Sequence, residues 1–207
     1  MPEVLENYPS LIQIYEEFDV SPAKDFHNEY LAKMHLVLDR ILAGSQHIVK
    51  IDTFRYLDGE LINDFGDFKT AVDLENFVAG MKRFGAPKKF IQKKIDEYAG
   101  MGLASAVYAP DLFVTTRAER RNEFGVPLLV MEILSYKSSE NDLYYKPFFY
   151  ETIGVREYFV GEASIEYGKI IKAYRLVRGR FQPVARNKNQ YHSKVLGAFL
   201  PAVVALE

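Results

Sequence analysis

Two acidic residues and the lysines that follow them have the types and order needed for metal-assisted phosphate chemistry. Glu132 stands in the middle of the apolar run PLLVMEILS, and Asp111 follows Pro110 earlier in the chain. A carboxylate inside an apolar strand is costly unless it is paired or bound to a metal. Two carboxylates on adjacent strands can share one divalent cation, and a nearby lysine can stabilise the charge that builds on a phosphate. This combination favours a metal site.

Simpler interpretations of the same acids stay open. Strand alternation can turn Glu132 to solvent, or an arginine can satisfy it as a structural ion pair. Asp111 can simply begin a turn, because Pro-Asp is common there. The interpretations differ in one respect, since only a metal site requires Asp111, Glu132 and a lysine to converge.

The rest of the composition excludes several other chemistries. The chain has no cysteine, which rules out disulfides, thiolate zinc sites and cysteine nucleophiles. Its four histidines lack the helical pairing of a zinc protease and the triad context of a hydrolase, so we interpret His27, His35, His47 and His192 as structural or surface residues. There is no glycine-rich phosphate loop. A hard cation with oxygen ligands fits what remains.

The net charge of −2 hides two strongly basic segments. One is KRFGAPKKFIQKK at 82–94, and the other is the C-terminal part, which has no acid between Glu166 and Glu207. Such segments can follow a phosphate backbone, or they can form a solvated face or meet an acidic surface. The C-terminal basic residues are Lys169, Lys172, Arg175, Arg178, Arg180, Arg186, Lys188 and Lys194.

Length and hydropathy indicate an ordinary globular protein. The 207 residues with 48% hydrophobic content are compatible with one substantial core, so one domain over 1–207 is expected. No run of about 18 apolar residues and no basic-flanked apolar leader is found, which predicts no membrane segment and a cytoplasmic location.

The first half of the chain shows helical signals around one strand. SPAKDFHNEYLAKMHLVLDRILAG predicts a helix with Ser21 as its cap, Pro22 in its first turn and Gly44 as its stop. HIVKIDTFRYLDGELIN predicts a strand and a hairpin turn at Asp58 and Gly59. Two further helices are predicted, in TAVDLENFVAGMKRFG and in PKKFIQKKIDEYAG.

The second half is richer in strands. LASAVYAPDLFVTT, PLLVMEILS and VREYFVG predict strands, FFYETIG predicts a helix up to Gly154, and GKIIKAYRLVRGRFQPVA predicts a hairpin about Gly179. A short helix or strand is expected from Ser193. This order of elements predicts a mixed α/β domain with a central sheet.

Several of these segments resemble a known family. PDLFV, EILSYKSSENDLYYK, Tyr150 followed by GVREYFV, and AYRLVRGRF are similar in order and spacing to the Uma-type restriction endonucleases, a branch of the PD-(D/E)XK nuclease superfamily that is common in cyanobacteria. The resemblance covers roughly residues 107–205. It implies a restriction-endonuclease-like core, a central mixed sheet flanked by helices. Residues 66–100 have no counterpart in the family's usual pattern and are expected to form an extra helical insertion.

The resemblance also implies an activity and a site. It implies a DNA endonuclease that depends on magnesium or manganese, with Asp111, Glu132 and the Ile133 carbonyl as metal ligands. The superfamily's usual lysine position holds Leu134, and the family's Asp-x-x-x-Lys pattern matches Asp142 and Lys146 instead. Lys146 is therefore the expected catalytic lysine, and a helical segment would place it and Asp142 on one face.

Pro147 directly follows Lys146 and limits where the helix can begin, because proline deep inside a helix destabilises it by about 3 kcal/mol or more. The helix is therefore expected to begin near Lys146. Lys137 is the reserve lysine, and Glu29 is a further candidate for the metal shell.

A nuclease activity makes DNA the expected partner, held by the C-terminal basic residues Lys169, Lys172, Arg175, Arg178, Arg180, Arg186 and Lys188. The resemblance alone implies a homodimer, which would allow both strands to be cut. The alternative is an inactive nuclease-fold module that binds nucleic acid or a protein.

Overall fold

The computed structural model describes residues 22–51, 70–98, 103–106, 110–116, 126–134 and 140–206. The helices among them are α1 Pro22–Leu42, α2 Leu74–Arg83, α3 Lys88–Tyr98 and α4 Lys146–Ile153, and the π-helical turn Asn141–Tyr145 leads directly into α4. No helix in these described ranges is long and apolar enough to cross a membrane. The strands are β1 His47–Ile51, β2 Thr70–Asp73, β3 Leu103–Ala106, β4 Leu112–Thr116, β5 Leu129–Leu134, β6 Glu157–Ala163, β7 Tyr167–Val177, β8 Arg180–Pro183, β9 Gln190–Ser193, β10 Ala198–Pro201 and β11 Val203–Ala205.

The main sheet is mixed and contains seven of the described strands. Six follow the order β1-β4-β5-β6-β7-β11, and β8 pairs with β7. β5 and β6 are parallel, because the π-turn and α4 carry the chain back across the sheet between them. The other pairs in the main sheet are antiparallel. This arrangement confirms the predicted α/β class with a restriction-endonuclease-like core.

Both faces of the sheet are buried. Met131 and Ile133 of β5 pack on the side of α1, whereas Val130 packs on the side of α2, α3 and α4. Two covered faces explain why β5 reads as a continuous apolar run rather than an alternating one.

Helix α1 lies unusually close to the sheet. The ring of Tyr30 occupies the space above Gly161 and Gly168, where a Cβ atom would come within 2.6 Å and 2.1 Å of it. The helix begins at Pro22 and is followed by Gly44 at φ +77°, as predicted, whereas the predicted cap Ser21 lies outside the described residues. This close contact brings the first turns of α1 near the end of β5.

The segment predicted as an inserted helical region contains two helices and contributes to the core. Phe77 and Met81 of α2 are fully buried and belong to the same cluster as Phe148 and Phe149 of α4. The first helix is shorter than predicted, because Thr70–Asp73 form a strand paired with Leu103–Ala106. The two helices therefore cover one face of the sheet.

The C-terminal part of the chain has the predicted hairpin and ends in strands. The hairpin about Gly179 is confirmed, with φ +75° at that residue, and the segment after Ser193 forms the strands β10 and β11. The hairpin predicted at Asp58 and Gly59 lies outside the described residues.

Candidate active site

Asp111 and Glu132 lie side by side at one end of the sheet. β4 and β5 are antiparallel with Leu112 opposite Met131, and the next step in that register places Asp111 opposite Glu132. The Ile133 backbone N–H donates a hydrogen bond to Asp111 Oδ2 at 2.7 Å, and the Asp111 N–H lies 3.4 Å from Glu132 Oε2. The expected convergence of these two carboxyl groups is therefore present.

Glu132 is completely buried and has a defined partner at each oxygen. The Tyr150 hydroxyl donates to Oε1 at 2.6 Å, and the Lys146 ammonium lies 2.9 Å from Oε2. Burial raises the pKa of Glu132 to about 8, although Lys146 lowers it, and the neighbouring Asp111 and Asp142 raise it further. Burial likewise raises the pKa of Asp111. Burial therefore disfavours the ionised form of both acids, and a bound cation would favour it.

The π-helical turn brings Lys146 to these acids. The Lys146 backbone N–H donates to the Asn141 carbonyl, five residues back, and Pro147 falls in the first turn of α4. Pro147 is accommodated because the π-turn offsets the hydrogen-bond ladder just before it, and the Asp142 carbonyl, five residues back, accepts from the Tyr158 hydroxyl instead. The segment is therefore helical throughout, and α4 starts at Lys146 as expected.

Asp142 holds the lysine from the other side. Its Oδ1 lies 2.7 Å from Lys146 Nζ, and its backbone carbonyl accepts a 2.7 Å hydrogen bond from the Tyr158 hydroxyl. Burial would lower the pKa of Lys146, but the carboxylates of Glu132, Asp142 and Asp111 raise it above its usual value. Lys146 is therefore a fixed cation, and we call Asp111, Glu132, Asp142 and Lys146 the acid–lysine cluster.

The structure does not test the other two candidates for the site, Lys137 and Glu29. Lys137 falls outside the described residues. Glu29 forms an ion pair with Lys33 at 3.4 Å, and Lys33 also donates to the Ala205 carbonyl in β11. Lys33 thus links Glu29 to β11. Its role in a metal shell stays a prediction.

Two residues near the cluster were not given a role by the sequence. Tyr150 lies in the quoted family pattern, and its contact with Glu132 depends on the pitch of α4, which the pattern does not specify. His27 lies on α1, where burial lowers its pKa, while Glu132 and Asp142 raise it. Its Nδ1 atom is buried and has no hydrogen-bond partner in the part of the chain that is described.

The seven basic residues predicted to bind DNA do not share one location. Lys172 lies opposite Val160, which lies opposite Glu132, so the three form one row across the sheet. Lys169 lies three residues before Lys172 on β7 and pairs with Glu162 at 2.8 Å. Strand register thus places two of the seven near the acid–lysine cluster.

Several of the others make contacts within the protein. Arg175 binds the buried Glu157 at 2.9 Å, and Arg180 binds the buried Glu151 at 3.0 Å. Arg178 is exposed in the turn after β7, and Arg186 and Lys188 are exposed in the loop before β9. The ion pairs of Arg175 and Arg180 give these residues a structural role that the charge pattern alone did not predict.

The donor atoms of the cluster suit a hard cation. Within the described ranges, no group of three or more histidine, aspartate and glutamate side chains is arranged to hold a metal ion. Asp111 and Glu132 nevertheless supply two carboxylates, and magnesium is commonly held by one or two carboxylates with water completing its shell. Burial raises the pKa of both acids, and a bound cation would favour their ionised forms. The chemistry of this pair therefore fits magnesium or manganese.

The comparison with known families covers this whole cluster. Residues 50–202 match the family model Uma2, described as "Putative restriction endonuclease". The chain belongs to the Uma2 family. The matched region includes β4, β5, the π-turn and α4, whereas α1 with His27 precedes it. No curated protein matches the chain. Membership of Uma2 supports a nuclease-like function in general terms.

Proposed function

We propose that this Uma2 protein is a metal-dependent endodeoxyribonuclease that hydrolyses phosphodiester bonds of DNA. The observation that carries the proposal is the convergence of Asp111 and Glu132 on Lys146 at one end of the sheet. A structural ion pair would need only Glu132 and Lys146, whereas Asp111 and Asp142 add two further carboxylates around the one ammonium.

Asp111, Glu132 and the Ile133 carbonyl would hold magnesium or manganese, which supplies Lewis-acid activation of the phosphate and of water when bound. Tyr150 fixes the Glu132 carboxylate through its hydroxyl. Lys146 offers a positive charge to the developing charge on the phosphate, and Asp142 retains the ammonium as it moves from Glu132 toward that phosphate. Each residue of the cluster thus has a distinct task.

Cleavage of supercoiled plasmid tests the proposal. We expect nicked and linear products with Mg²⁺ or Mn²⁺ and none with a chelator. The competing candidate is a nuclease-fold module that binds nucleic acid without cutting it, which the placement of the Lys146 ammonium against Glu132 Oε2 favours. DNA binding without cleavage across both metals would select that candidate.

Two proposed partners follow from the activity. DNA is the expected substrate, and a homodimer would bring two such sites to opposite strands of a duplex. Sedimentation of the protein with and without a duplex measures this association.

Lys172 is the described lysine best placed to contact the DNA near the cluster. It is half-buried, burial lowers its pKa, and its ammonium lies 5.2 Å from the centre of the Tyr144 ring. No carboxylate among the described residues lies within ion-pair distance of it. The Tyr144 ring stabilises the ammonium only in part, and its positive charge remains available to a bound anion. We therefore assign it a contact with a backbone phosphate.

Replacing Lys172 with methionine is expected to weaken DNA binding and to raise the free energy of unfolding slightly. One phosphate contact is lost, so the dependence of log Kd on log salt falls by about one. Stability rises because an apolar side chain replaces the half-buried ammonium. Binding with a chelator present and thermal unfolding measure the two effects.

Lys169→Met is the matched control, because Lys169 lies on the same strand but its charge is already paired with Glu162. Its effect on the salt dependence should be smaller. A Lys172→Met protein that is less stable yet binds DNA normally would show that Lys172 only packs against Tyr144.

A further inference from the structure

A second charged site lies between α2, α4 and the β7–β8 turn, away from the acid–lysine cluster. It is a half-open cavity of about 280 Å³. We call it the arginine pocket, and its lining includes Arg83, Arg180, Asn76, Thr152, Gly80 and Phe148. α4 separates it from the cluster, since Lys146 begins this helix and Thr152 lies near its end.

The pocket is built around a buried carboxylate that is already saturated. Glu151 Oε1 accepts from Arg83 at 2.5 Å and from Arg180 at 3.0 Å. Its Oε2 accepts from Arg83 at 2.7 Å and from the Phe181 backbone N–H at 2.6 Å. Two oxygens that accept two hydrogen bonds each have no further capacity in the carboxylate plane. Arg83 and the Phe181 N–H supply three of these four bonds.

Arg180 therefore has N–H groups and positive charge beyond those that interact with Glu151. It contributes one hydrogen bond to the carboxylate, and its side chain is 62% exposed. The two guanidinium groups carry two positive charges against the single negative charge of Glu151. No acid is among the described residues that line the cavity. The pocket consequently has an excess of one positive charge and N–H groups that are not committed to Glu151.

We propose that the arginine pocket binds a phosphate group. The planar guanidinium fork matches the geometry of phosphate oxygens and remains charged at every physiological pH. Asn76 and Thr152 add polar side chains to the same wall, and the volume admits one phosphate with part of an attached group. The phosphate has two possible sources, the backbone of a nucleic acid or a small phosphorylated molecule.

Nuclear magnetic resonance of the arginine side chains tests this proposal. The Nε–H signals of Arg83 and Arg180 are followed while inorganic phosphate is added at constant ionic strength to the full chain in chelator. We expect a saturable shift in both signals. Arg180→Gln should weaken binding about tenfold, equivalent to about 1.4 kcal/mol, whereas Arg156→Gln, which removes an exposed arginine outside the lining, should leave it unchanged.

A second arm identifies the source of the phosphate. A short DNA duplex replaces inorganic phosphate under the same metal-free conditions. The same shifts with the duplex would assign the pocket to the nucleic-acid backbone, and shifts with inorganic phosphate alone would assign it to a small phosphorylated molecule. No saturable shift with either probe, or an unchanged affinity in Arg180→Gln, would overturn the proposal. Neither arm requires cleavage, so the outcome is independent of the nuclease activity.

Discussion

Glu132→Gln is expected to weaken Mn²⁺ binding by about 100-fold or more, because it removes a charged metal ligand. Loss of a residue that only supports a ligand through a hydrogen bond already lowers metal affinity by about 10- to 100-fold. The amide keeps the shape of the side chain and can still contact Tyr150. Manganese can be followed by the electron paramagnetic resonance signal of the free ion. No substrate is needed, so this experiment measures the metal site alone.

Glu162→Gln provides the matched control. Glu162 lies on the adjacent strand β6, is half-exposed and pairs with Lys169. Its replacement removes the same charge near the same end of the sheet without touching the cluster. Equal weakening in both variants would mean that general electrostatics, and not ligation by Glu132, attracts the metal.

Lys146→Met is expected to lower the cleavage rate by about 100- to 1,000-fold, the range seen when one group that stabilises transition-state charge is removed. Whereas Glu132→Gln should weaken Mn²⁺ binding, Lys146→Met should not. The Lys146 ammonium lies 2.9 Å from Glu132 Oε2 and competes with a metal for that oxygen. Mn²⁺ binding should therefore be as tight as in the wild type, or tighter.

Lys146→Arg separates loss of charge from loss of fold. Arginine keeps a cation between Glu132 and Asp142, so the buried carboxylates stay compensated, but it presents a planar group in place of a compact ammonium. Thermal unfolding with Mn²⁺ present establishes that each variant is folded. Wild-type cleavage by folded Lys146→Met would remove Lys146 from the mechanism.

Local sequence signals predicted most of the elements, because each was fixed by residues within the element itself. Pro22 and Gly44 delimit α1, and Gly154 at φ +91° ends α4 as a left-handed cap. β5 was recognisable from its apolar run. The strand Thr70–Asp73 was missed because its identity comes from pairing with Leu103–Ala106, a contact that hydrophobic periodicity does not encode.

The cluster was predicted by resemblance, and its geometry depends on contacts distant in sequence. Asp111, Glu132 and Lys146 meet because β4 and β5 pair in one register and a π-turn follows β5. The widened turn resolves the difficulty posed by Pro147, which a regular helical repeat could not anticipate. The position of His27 beside the cluster depends on how α1 packs over Gly161 and Gly168.

The basic C-terminal residues show the limit of charge patterns. In the sequence, Arg175 and Arg180 look equivalent to Lys172. In the structure they bind Glu157 and Glu151, two acids that lie outside the basic segment. A charge pattern reports the composition of a segment, whereas burial decides which charges are committed to the fold.

Whether Asp111 and Glu132 form a catalytic metal site is decided by cleavage of supercoiled plasmid by the wild type, Glu132→Gln and Asp111→Asn, each with Mg²⁺ and with a chelator. We expect nicking by the wild type only with Mg²⁺ and loss of that nicking in both variants. Cleavage that survives both substitutions, or that persists in chelator, would contradict a metal site formed by Asp111 and Glu132.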